Sequence, residues 1–377
     1  MAQVRVTSAR FGSMLANRGM SVSQFAVGLG AEVDLDALLA ADQDLPLASV
    51  VALAARFKKT WPYLLIDNAE VLGKYGRDNR TAANQRYALS AELLDHHSRV
   101  ETMLEWAGDL FPEITFQVPA QPIGTNTPVA DAGEAIRELL GVSFDNQTKT
   151  KGEYEALRLW SDALQARGIY VQMRRLNDLT VRAFSIAVGE QAAVVADTQD
   201  IPPARVFSLL HEYVHIVLRS AGICDLDEQL AVERYCNAVA GEVLMPLPLM
   251  RREAFPSVRW GGSIDEDENR VAALSSRLGV SKASLLIRLR DLDFLSQASY
   301  EVLETRRAAR TGNANKSRGG DYHRNVITKV GRRFAKRVVG AYDSGSIDRR
   351  DASTLLEIPE HNFPNFRNTL SKVAGAA

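Results

Sequence analysis

The sequence predicts an α+β fold, a mostly helical chain in which a small three-stranded sheet packs on a pair of helices. Helical periodicity of apolar residues recurs through most of the 377 residues. Three short runs rich in Val, Ile and Ala lie together between residues 168 and 196 and are typical of strands. Two amphipathic helical patterns follow these runs directly, and a small sheet followed by two helices forms an α+β core.

The composition is that of an ordinary soluble globular protein, with 46% hydrophobic residues, 24% charged residues and a formal net charge of −1. This balance gives no global field that would draw the chain to nucleic acid or to a membrane. No run approaches the roughly 18 apolar residues of a membrane span, and residues 1–7 lack the apolar segment of a secretory signal. Cys224 and Cys236 are the only cysteines, and we expect both to be reduced in a cytoplasmic protein.

Residues 1–67 predict a helix-turn-helix-like N-terminal domain built from short helices. The helix in the recognition position should span residues 34–41, and it carries Asp34 and Asp36 but no Lys or Arg. Carboxylates that face DNA phosphates would repel them. We therefore expect this domain to pack or to bind a protein rather than to read DNA.

Residues 68–130 predict a helical connector followed by a linker. A helix should cover residues 76–117, and the turn-rich linker should follow at 121–129. The buried stripe of that helix is expected to consist of apolar residues: Leu89, Leu93, Leu94, Val100, Met103, Leu104 and Trp106.

A domain at 131–250 should hold the sheet and the two helices that follow it. Its first predicted elements, in chain order, are helices around 135–140 and 154–167 and strands at 168–173, 181–188 and 192–196. Gly189 and Glu190 should form the turn before the last strand. The strand at 181–188 could lie at an edge of the sheet and hold an extended peptide by backbone hydrogen bonds. The alternative, an internal strand, is almost equally favoured.

The most informative motif is His211-Glu-Tyr-Val-His215, which apolar residues flank on both sides. Four residues advance a helix by about 400°, so the two imidazoles project from one face about 6 Å apart and can bind one metal ion. Glu212 is offset by about 100° and would lie beside the metal, where a general base for the attacking water belongs. The motif alone arises by chance in roughly one chain in a hundred of this length, so its interpretation needs a second element.

That second element is the helical pattern around Glu233, which ends at Pro246. Glu233 can supply a third metal ligand, and Asn237 lies one turn later, where it can hold a ligand by a hydrogen bond. Two histidines with a carboxylate are the minimal protein ligands of a catalytic zinc site in a peptidase. Cys236 could also bind the metal, although packing as a small apolar side chain is the favoured interpretation.

Residues 251–303 predict a second helix-turn-helix-like domain, with Gly279 in its turn and Ser281 as the N-cap of its second helix. Residues 304–377 predict a basic segment and a helical C-terminal tail. Nucleic acid could bind across 270–337, an acidic protein could bind the basic segment, or the charges could simply be solvated. Of the two partners we favour the protein, because the rest of the chain offers no clear electropositive surface.

These residues resemble the ImmA/IrrE family of metallo-endopeptidases. The likeness covers roughly 131–250, extends more loosely over most of the chain, and rests on four segments: Arg205-Val-Phe-Ser-Leu-Leu-His-Glu212, Arg182-Ala-Phe-Ser185, Cys236-Asn-Ala-Val-Ala240 and Leu244-Met-Pro246. The resemblance implies that His211, His215 and Glu233 bind Zn²⁺ and that Glu212 is the base. One departure is Ala183, where the family often has Gly.

Two further sets of residues are candidates for the site. Arg182, Phe184 and Ser185 are candidates for substrate binding, on the strand predicted at 181–188. Tyr322 and His323 are polar candidates for stabilising the oxyanion.

The sequence therefore predicts a zinc-dependent endopeptidase in which Glu212 moves the proton of the attacking water. We expect one specific cytosolic protein as the substrate, since a cytosolic protease without selectivity would be harmful, and the resemblance implies a transcriptional repressor as the target. The alternative is an antitoxin or regulatory protein that keeps the zinc fold and acts by docking a toxin. An intact Glu212 favours the enzyme, because a docking scaffold needs no base. A DNA-binding regulator is a third and weaker hypothesis, and the pattern does not predict an oligomeric state.

Overall fold

The computed structural model describes residues 3–17, 21–26, 33–57, 79–81, 91–178, 181–218, 226–254, 260–310 and 322–374. The chain divides into two compact units, a smaller one of Met1–Arg77 with Gln85–Arg99 and a larger one of Asp78–Asn84 with Val100–Ala377. Within the described part of the chain, no helix has the length and hydropathy needed to cross a membrane.

The smaller unit contains a two-stranded sheet that the sequence analysis did not predict. Its elements are β1 (Gln3–Val6), α1 (Ser8–Asn17), α2 (Val22–Ala26), α3 (Leu35–Ala40), β2 (Gln43–Pro46) and α4 (Leu47–Arg56). β1 and β2 pair antiparallel, so the prediction of helices alone was wrong here. The alternation of Val4 and Val6 with polar residues is a strand signal that the helical interpretation missed.

The acidic helix of the smaller unit is present almost where it was predicted. Asp34 is its N-cap and accepts a hydrogen bond from the amide of Ala37 at 2.9 Å. Asp42 accepts a hydrogen bond from the amide of Ser8 and pairs with Arg5. These carboxylates thus cap a helix and join strand ends, which gives them structural roles that need no DNA.

The larger unit begins with a short strand and with the last part of a long helix, whose residues as far as Arg99 belong to the smaller unit. Its elements before the site are β3 (Asn79–Thr81), α5 (Ala91–Leu110), α6 (Val129–Leu140), α7 (Phe144–Thr148), α8 (Glu153–Ala166), β4 (Ile169–Arg174), β5 (Val181–Val188) and β6 (Gln191–Asp197). The single helix predicted over 76–117 was wrong at both ends, since residues 79–81 form a strand and the helix ends at Leu110. The buried stripe is confirmed at Leu93, Val100, Met103 and Leu104, but Trp106 is 37% exposed. Leu89 and the side chain of Leu94 lie outside the described residues.

Helices make up the rest of the larger unit. They are α9 (Pro202–Leu218), α10 (Leu226–Leu244), α11 (Leu247–Ala254), α12 (Ile264–Leu278), α13 (Lys282–Asp291), α14 (Gln297–Arg310), α15 (Tyr322–Val330), α16 (Arg332–Asp343), α17 (Arg349–Leu355) and α18 (Phe363–Ala374). Helices are therefore present in the C-terminal tail, as predicted. The further division of this unit at residues 130, 250 and 303 stays a prediction.

The three predicted strands form one mixed sheet, and β3 adds a short fourth strand among the described residues. The strand order is β3-β5-β6-β4, with β4 parallel to β6 and the other pairs antiparallel. The α+β class is thus confirmed. β3 pairs with β5 between Val181 and Phe184, so that half of β5 is internal and only residues 185–188 keep an edge that no described strand covers.

Side-chain alternation gives the sheet two different buried faces. Val171, Ala183 and Val194 belong to the face that packs into the core with α8 and α9. The opposite face is also covered, since the ring of Tyr170 meets Phe334 of α16 edge to face at 5.5 Å and α15 packs along β4. Every residue of β4 and β6 is buried, as expected for a sheet that is covered on both faces.

The second helix-turn-helix-like region is part of the larger unit's framework. Gly279 adopts the left-handed conformation at the end of α12, and the Ser281 hydroxyl caps α13, as predicted. In α13 the side chain of Arg288 turns towards the protein, where it donates to the carbonyl of Met245 at 2.9 Å and pairs with Glu242. Arg290 pairs with its neighbour Asp291. Two of the three basic residues of α13 are therefore engaged in contacts within the protein, and the third is Lys282.

Candidate metal centre

α9 holds the two histidines in a fully buried part of the molecule. The helix begins at Pro202 and Pro203, whose fixed φ suits a first turn where no intrahelical N–H bond is needed. His211 is completely buried and His215 is 8% exposed. Their Nε2 atoms lie 3.0 Å apart, so the i, i+4 spacing brings the two nitrogens to one point as predicted.

α10 crosses beside α9 and brings Glu233 to the same point. One carboxylate oxygen of Glu233 lies 3.4 Å from Nε2 of His211, and the other lies 3.3 Å from Nε2 of His215. One ligand atom from each of the three residues lies within 4.8 Å of the others. This geometry could hold a metal ion.

The charge state of Glu233 suits it to bind a cation. Burial alone would raise the pKa of the carboxyl, but hydrogen bonds and charge interactions with His211 and His215 outweigh burial and lower that pKa far below its usual value. The carboxylate is therefore charged at neutral pH. Two imidazole nitrogens and one carboxylate oxygen are a zinc donor set that leaves a coordination position open, so the residues present fit a catalytic zinc ion.

Glu212 is completely buried beside the two histidines. Its Oε2 accepts a hydrogen bond from the hydroxyl of Ser185 at 2.8 Å. Ser185 reaches α9 because it follows Ala183 by two positions on the face of β5 that packs against that helix. The Glu212 carboxylate is thus held by a side chain from the sheet, and not only by its own helix.

The same alternation separates the three residues predicted to bind substrate. Arg182 and Phe184 are one position away from Ser185 and therefore point to the opposite face of the sheet. Arg182 pairs with Asp200 at 2.5 Å, and Phe184 is only 1% exposed. The structure places Ser185 alone of the three at the metal centre, and a substrate role for the other two has no support from this geometry.

The side chains of the remaining predicted site residues make no described contact with those of His211, His215 or Glu233. Asn237 is half-buried on α10, and its described contacts include no hydrogen bond to a ligand side chain. Tyr322 and His323 begin α15, where the two rings meet edge to face at 5.2 Å. The ring of His323 also meets Phe366 of α18 at 6.2 Å. A role for Asn237 or for this pair stays a prediction.

Cys236 contacts His215, and the sequence did not predict this contact. Its thiol is completely buried, and Sγ lies 3.6 Å from Nδ1 of His215, the ring nitrogen that faces away from the ligand centre. The sequence left metal binding and packing open for this residue. The structure places the sulfur behind a ligand and not among the ligands. Cys224 lies outside the described residues.

The segment between α5 and α6, which includes the predicted linker, contacts both helices of the site from behind. The hydroxyl of Tyr213 donates to the carbonyl of Gln117 at 2.6 Å, and burial raises its pKa. The hydroxyl of Tyr235 donates to the carbonyl of Thr127 at 2.8 Å. Each tyrosine lies two positions from a ligand and so projects from the opposite side of its helix. The segment that looked like a spacer therefore helps to fix the distance between α9 and α10.

The basic segment predicted within residues 304–377 is partly neutralised by ion pairs with acidic residues elsewhere in the chain. Arg306 pairs with Asp265 of α12 and Lys329 pairs with Glu357. Arg337 pairs with Glu113 at 3.0 Å. These ion pairs reduce the positive charge available to an acidic partner or to nucleic acid. Residues 311–321 of the segment lie outside the described residues.

The fold and the three converging side chains define a metallopeptidase-type domain. Residues 164–290 match the model of the Peptidase M78 family, described as the IrrE N-terminal-like domain. Residues 164–290 therefore form a domain similar to that of the ImmA/IrrE family, in agreement with the sequence motifs. The matched region runs from the end of α8 to α13, so it includes the site and the second helix-turn-helix-like region. A comparison with curated proteins finds no match.

Proposed function

We propose that the protein is a zinc-dependent endopeptidase. The observation that carries the proposal is the convergence of the His211, His215 and Glu233 ligand atoms beside the buried carboxylate of Glu212. Zinc, when bound, supplies Lewis-acid chemistry that acidifies water and polarises a carbonyl group. A buried carboxylate next to such a donor set is what a peptidase needs and what a docking scaffold does not need.

In this proposal the chain's own residues perform the proton transfers. Glu212 takes the proton of the attacking water and delivers it to the leaving amine of the peptide. The hydroxyl of Ser185 holds the Glu212 carboxylate in one orientation, because a carboxylate that accepts a directed hydrogen bond loses rotational freedom. The buried surroundings strengthen the electrostatic interactions of both groups.

The substrate would bind as an extended chain along β5. Residues 185–188 keep a strand edge that the described part of β3 does not cover, and this edge continues directly from Ser185. A peptide that adds to a sheet edge is held by backbone hydrogen bonds and is selected by alternate side chains. We propose one specific cytosolic protein as the substrate, and the family resemblance favours a transcriptional repressor.

The metal is tested by analysis of protein purified without added zinc. We expect one zinc ion per wild-type chain and a loss of zinc in His215→Ala, because that variant lacks one of three ligands. His361→Ala is the matched control, since His361 is exposed and belongs to no ligand cluster among the described residues. Equal zinc in the wild type and His215→Ala would refute the assignment.

The role of Glu212 is tested with Glu212→Gln, which keeps the shape of the side chain but cannot accept the proton. We expect this variant to fold and to bind zinc, but to cleave the repressor encoded by a neighbouring reading frame at least about 10²-fold more slowly. Glu138→Gln, on the exposed face of α6, is the control and should cleave normally. Tight binding of a neighbouring toxin without cleavage, equal in the wild type and Glu212→Gln, would instead support the docking alternative.

A further inference from the structure

We propose that Cys236 is a positioning residue whose sulfur accepts a hydrogen bond from His215 and so fixes the ring of that histidine for metal binding. Sγ lies 3.6 Å from Nδ1 of His215, which is within reach of an N–H···S hydrogen bond. Both groups are buried, so water does not compete freely for this contact. The inference rests on the proposed function, because it assigns a partner to one of the proposed zinc ligands.

The assignment follows from which nitrogen of His215 faces the ligand centre. Nε2 of His215 lies 3.0 Å from Nε2 of His211 and 3.3 Å from the carboxylate of Glu233, so Nε2 is the nitrogen available to a metal. A neutral imidazole that binds metal through Nε2 carries its proton on Nδ1. That proton needs an acceptor, and the acceptor sets the tautomer and the orientation of the ring. Cys236 provides a sulfur acceptor at this position.

The same helix, α10, supplies two of the side chains that contact His215, namely Glu233 and Cys236. Cys236 follows Glu233 by three residues on α10, so the two side chains project from neighbouring positions of that helix. α10 thus brings a carboxylate to the front of His215 and a sulfur to its back. A shift of α10 relative to α9 would disturb both contacts together, which links the third ligand to the orientation of the second.

The experiment measures the zinc dissociation constant of the purified full chain by competition with a chelator. Cys236→Ala removes the acceptor, and Cys236→Ser replaces it with a hydroxyl that can still accept a hydrogen bond. Cys236→Val keeps an apolar side chain of larger volume without an acceptor and serves if Cys236→Ala does not fold. Val239→Ala is the matched control, because Val239 is equally buried on α10 but its apolar side chain has no atom that can accept a hydrogen bond.

We expect Cys236→Ala and Cys236→Val to bind zinc about 10- to 100-fold more weakly than the wild type, since loss of such a partner typically has that effect. Cys236→Ser should recover part of the affinity, and Val239→Ala should keep it. The ¹⁵N resonances of His215 give a second readout: zinc-bound wild type should show a protonated Nδ1 whose shift changes in Cys236→Ala.

Each other result is decisive. Wild-type affinity in both Cys236→Ala and Cys236→Val would overturn the inference while leaving the zinc site intact. Equal weakening in Cys236→Ser and Cys236→Ala would also overturn it, because packing and not the acceptor would then be responsible. A wild-type chain that binds no zinc would overturn the proposed function itself, and the inference with it.

Discussion

Glu357→Gln should destabilise the larger unit more than any surface ion-pair variant. Glu357 lies between α17 and α18 and pairs with Arg174, which is 3% exposed at the end of β4. Lys329 of α15 pairs with the same carboxylate at 2.6 Å. The substitution keeps the size of the side chain but leaves the buried guanidinium without its charged partner. Removing one member of a buried ion pair is strongly destabilising for this reason.

The magnitude follows from the pKa of Glu357. Burial raises this pKa, but Arg174 and Lys329 lower it further, and the net effect is a fall from 4.5 to about 2. One pKa unit corresponds to about 1.4 kcal/mol, so the charged form contributes about 3 kcal/mol to folding at neutral pH. Because the pKa is depressed in the folded state, this contribution is complete above pH 4.5 and is lost as the pH falls towards 2.

Urea denaturation with a chelator present gives the free energy of unfolding of the wild type and the variant. We expect a loss of about 3 kcal/mol at pH 7 with an unchanged m-value, and a smaller difference as the pH falls below 4.5. Glu113→Gln is the matched control, because its pair with Arg337 is exposed and should contribute less than about 1 kcal/mol. A loss in Glu357→Gln no larger than that in Glu113→Gln would refute the reasoning.

Two further substitutions test how the larger unit is held together. Gly331→Ala should lower the free energy of unfolding by more than about 2 kcal/mol, since the added Cβ would lie 2.6 Å from a backbone oxygen of β4. Gly345→Ala is its control and should lower the free energy of unfolding by only about 1–2 kcal/mol, because Gly345 also has a positive φ but its added Cβ would meet open space. Arg137→Met should lower the free energy of unfolding by about 2–4 kcal/mol, because the buried carbonyl of Val243 would lose the guanidinium that donates to it at 2.6 Å. Arg252→Met is its control and should lower the free energy of unfolding by less than about 1 kcal/mol, because the side chain of Arg252 is 42% exposed. Equal losses within either pair would contradict these assignments.

Local periodicity was sufficient to predict the elements that carry the site. The four-residue spacing of His211 and His215 has one consequence on a helix, and the structure shows it. The position of Glu233 beside the two histidines depends on how α9 and α10 pack, and sequence spacing alone cannot determine that packing. The carboxylate on α10 was still predicted to be a third ligand, because two histidines with one carboxylate match a known set of zinc ligands.

The contacts of Ser185 and Cys236 could not be predicted in the same way. The position of Ser185 against Glu212 depends on the register of β5 and on which of its faces meets α9. A change of register by one residue would have placed Phe184 there instead. Cys236 required the rotation of α10 about its axis, and a small buried residue in a helix gives no sequence signal for that rotation.

The cover on the second face of the sheet was also missing from the sequence analysis, because helical patterns show an apolar face but not its partner. Phe334 of α16 packs on Tyr170, and Glu357 pairs with Arg174, so residues outside the matched family region bury the sheet that carries Ser185. A chain that ends at residue 310 should therefore expose this face. An apolar sheet surface that is buried in the full chain becomes prone to aggregation when truncation exposes it.

We expect that truncated chain to be insoluble or to bind a hydrophobic dye strongly, with loss of zinc binding. The control is the full chain with Arg332, Arg333 and Lys336 replaced by Ala, which removes positive charge from α16 without uncovering the sheet. If the C-terminal region were only a solvated basic tail, the truncated chain would remain folded and would bind zinc as the full chain does. Loss of zinc binding in the truncated chain alone would show that the candidate metal centre depends on helices far from it in sequence.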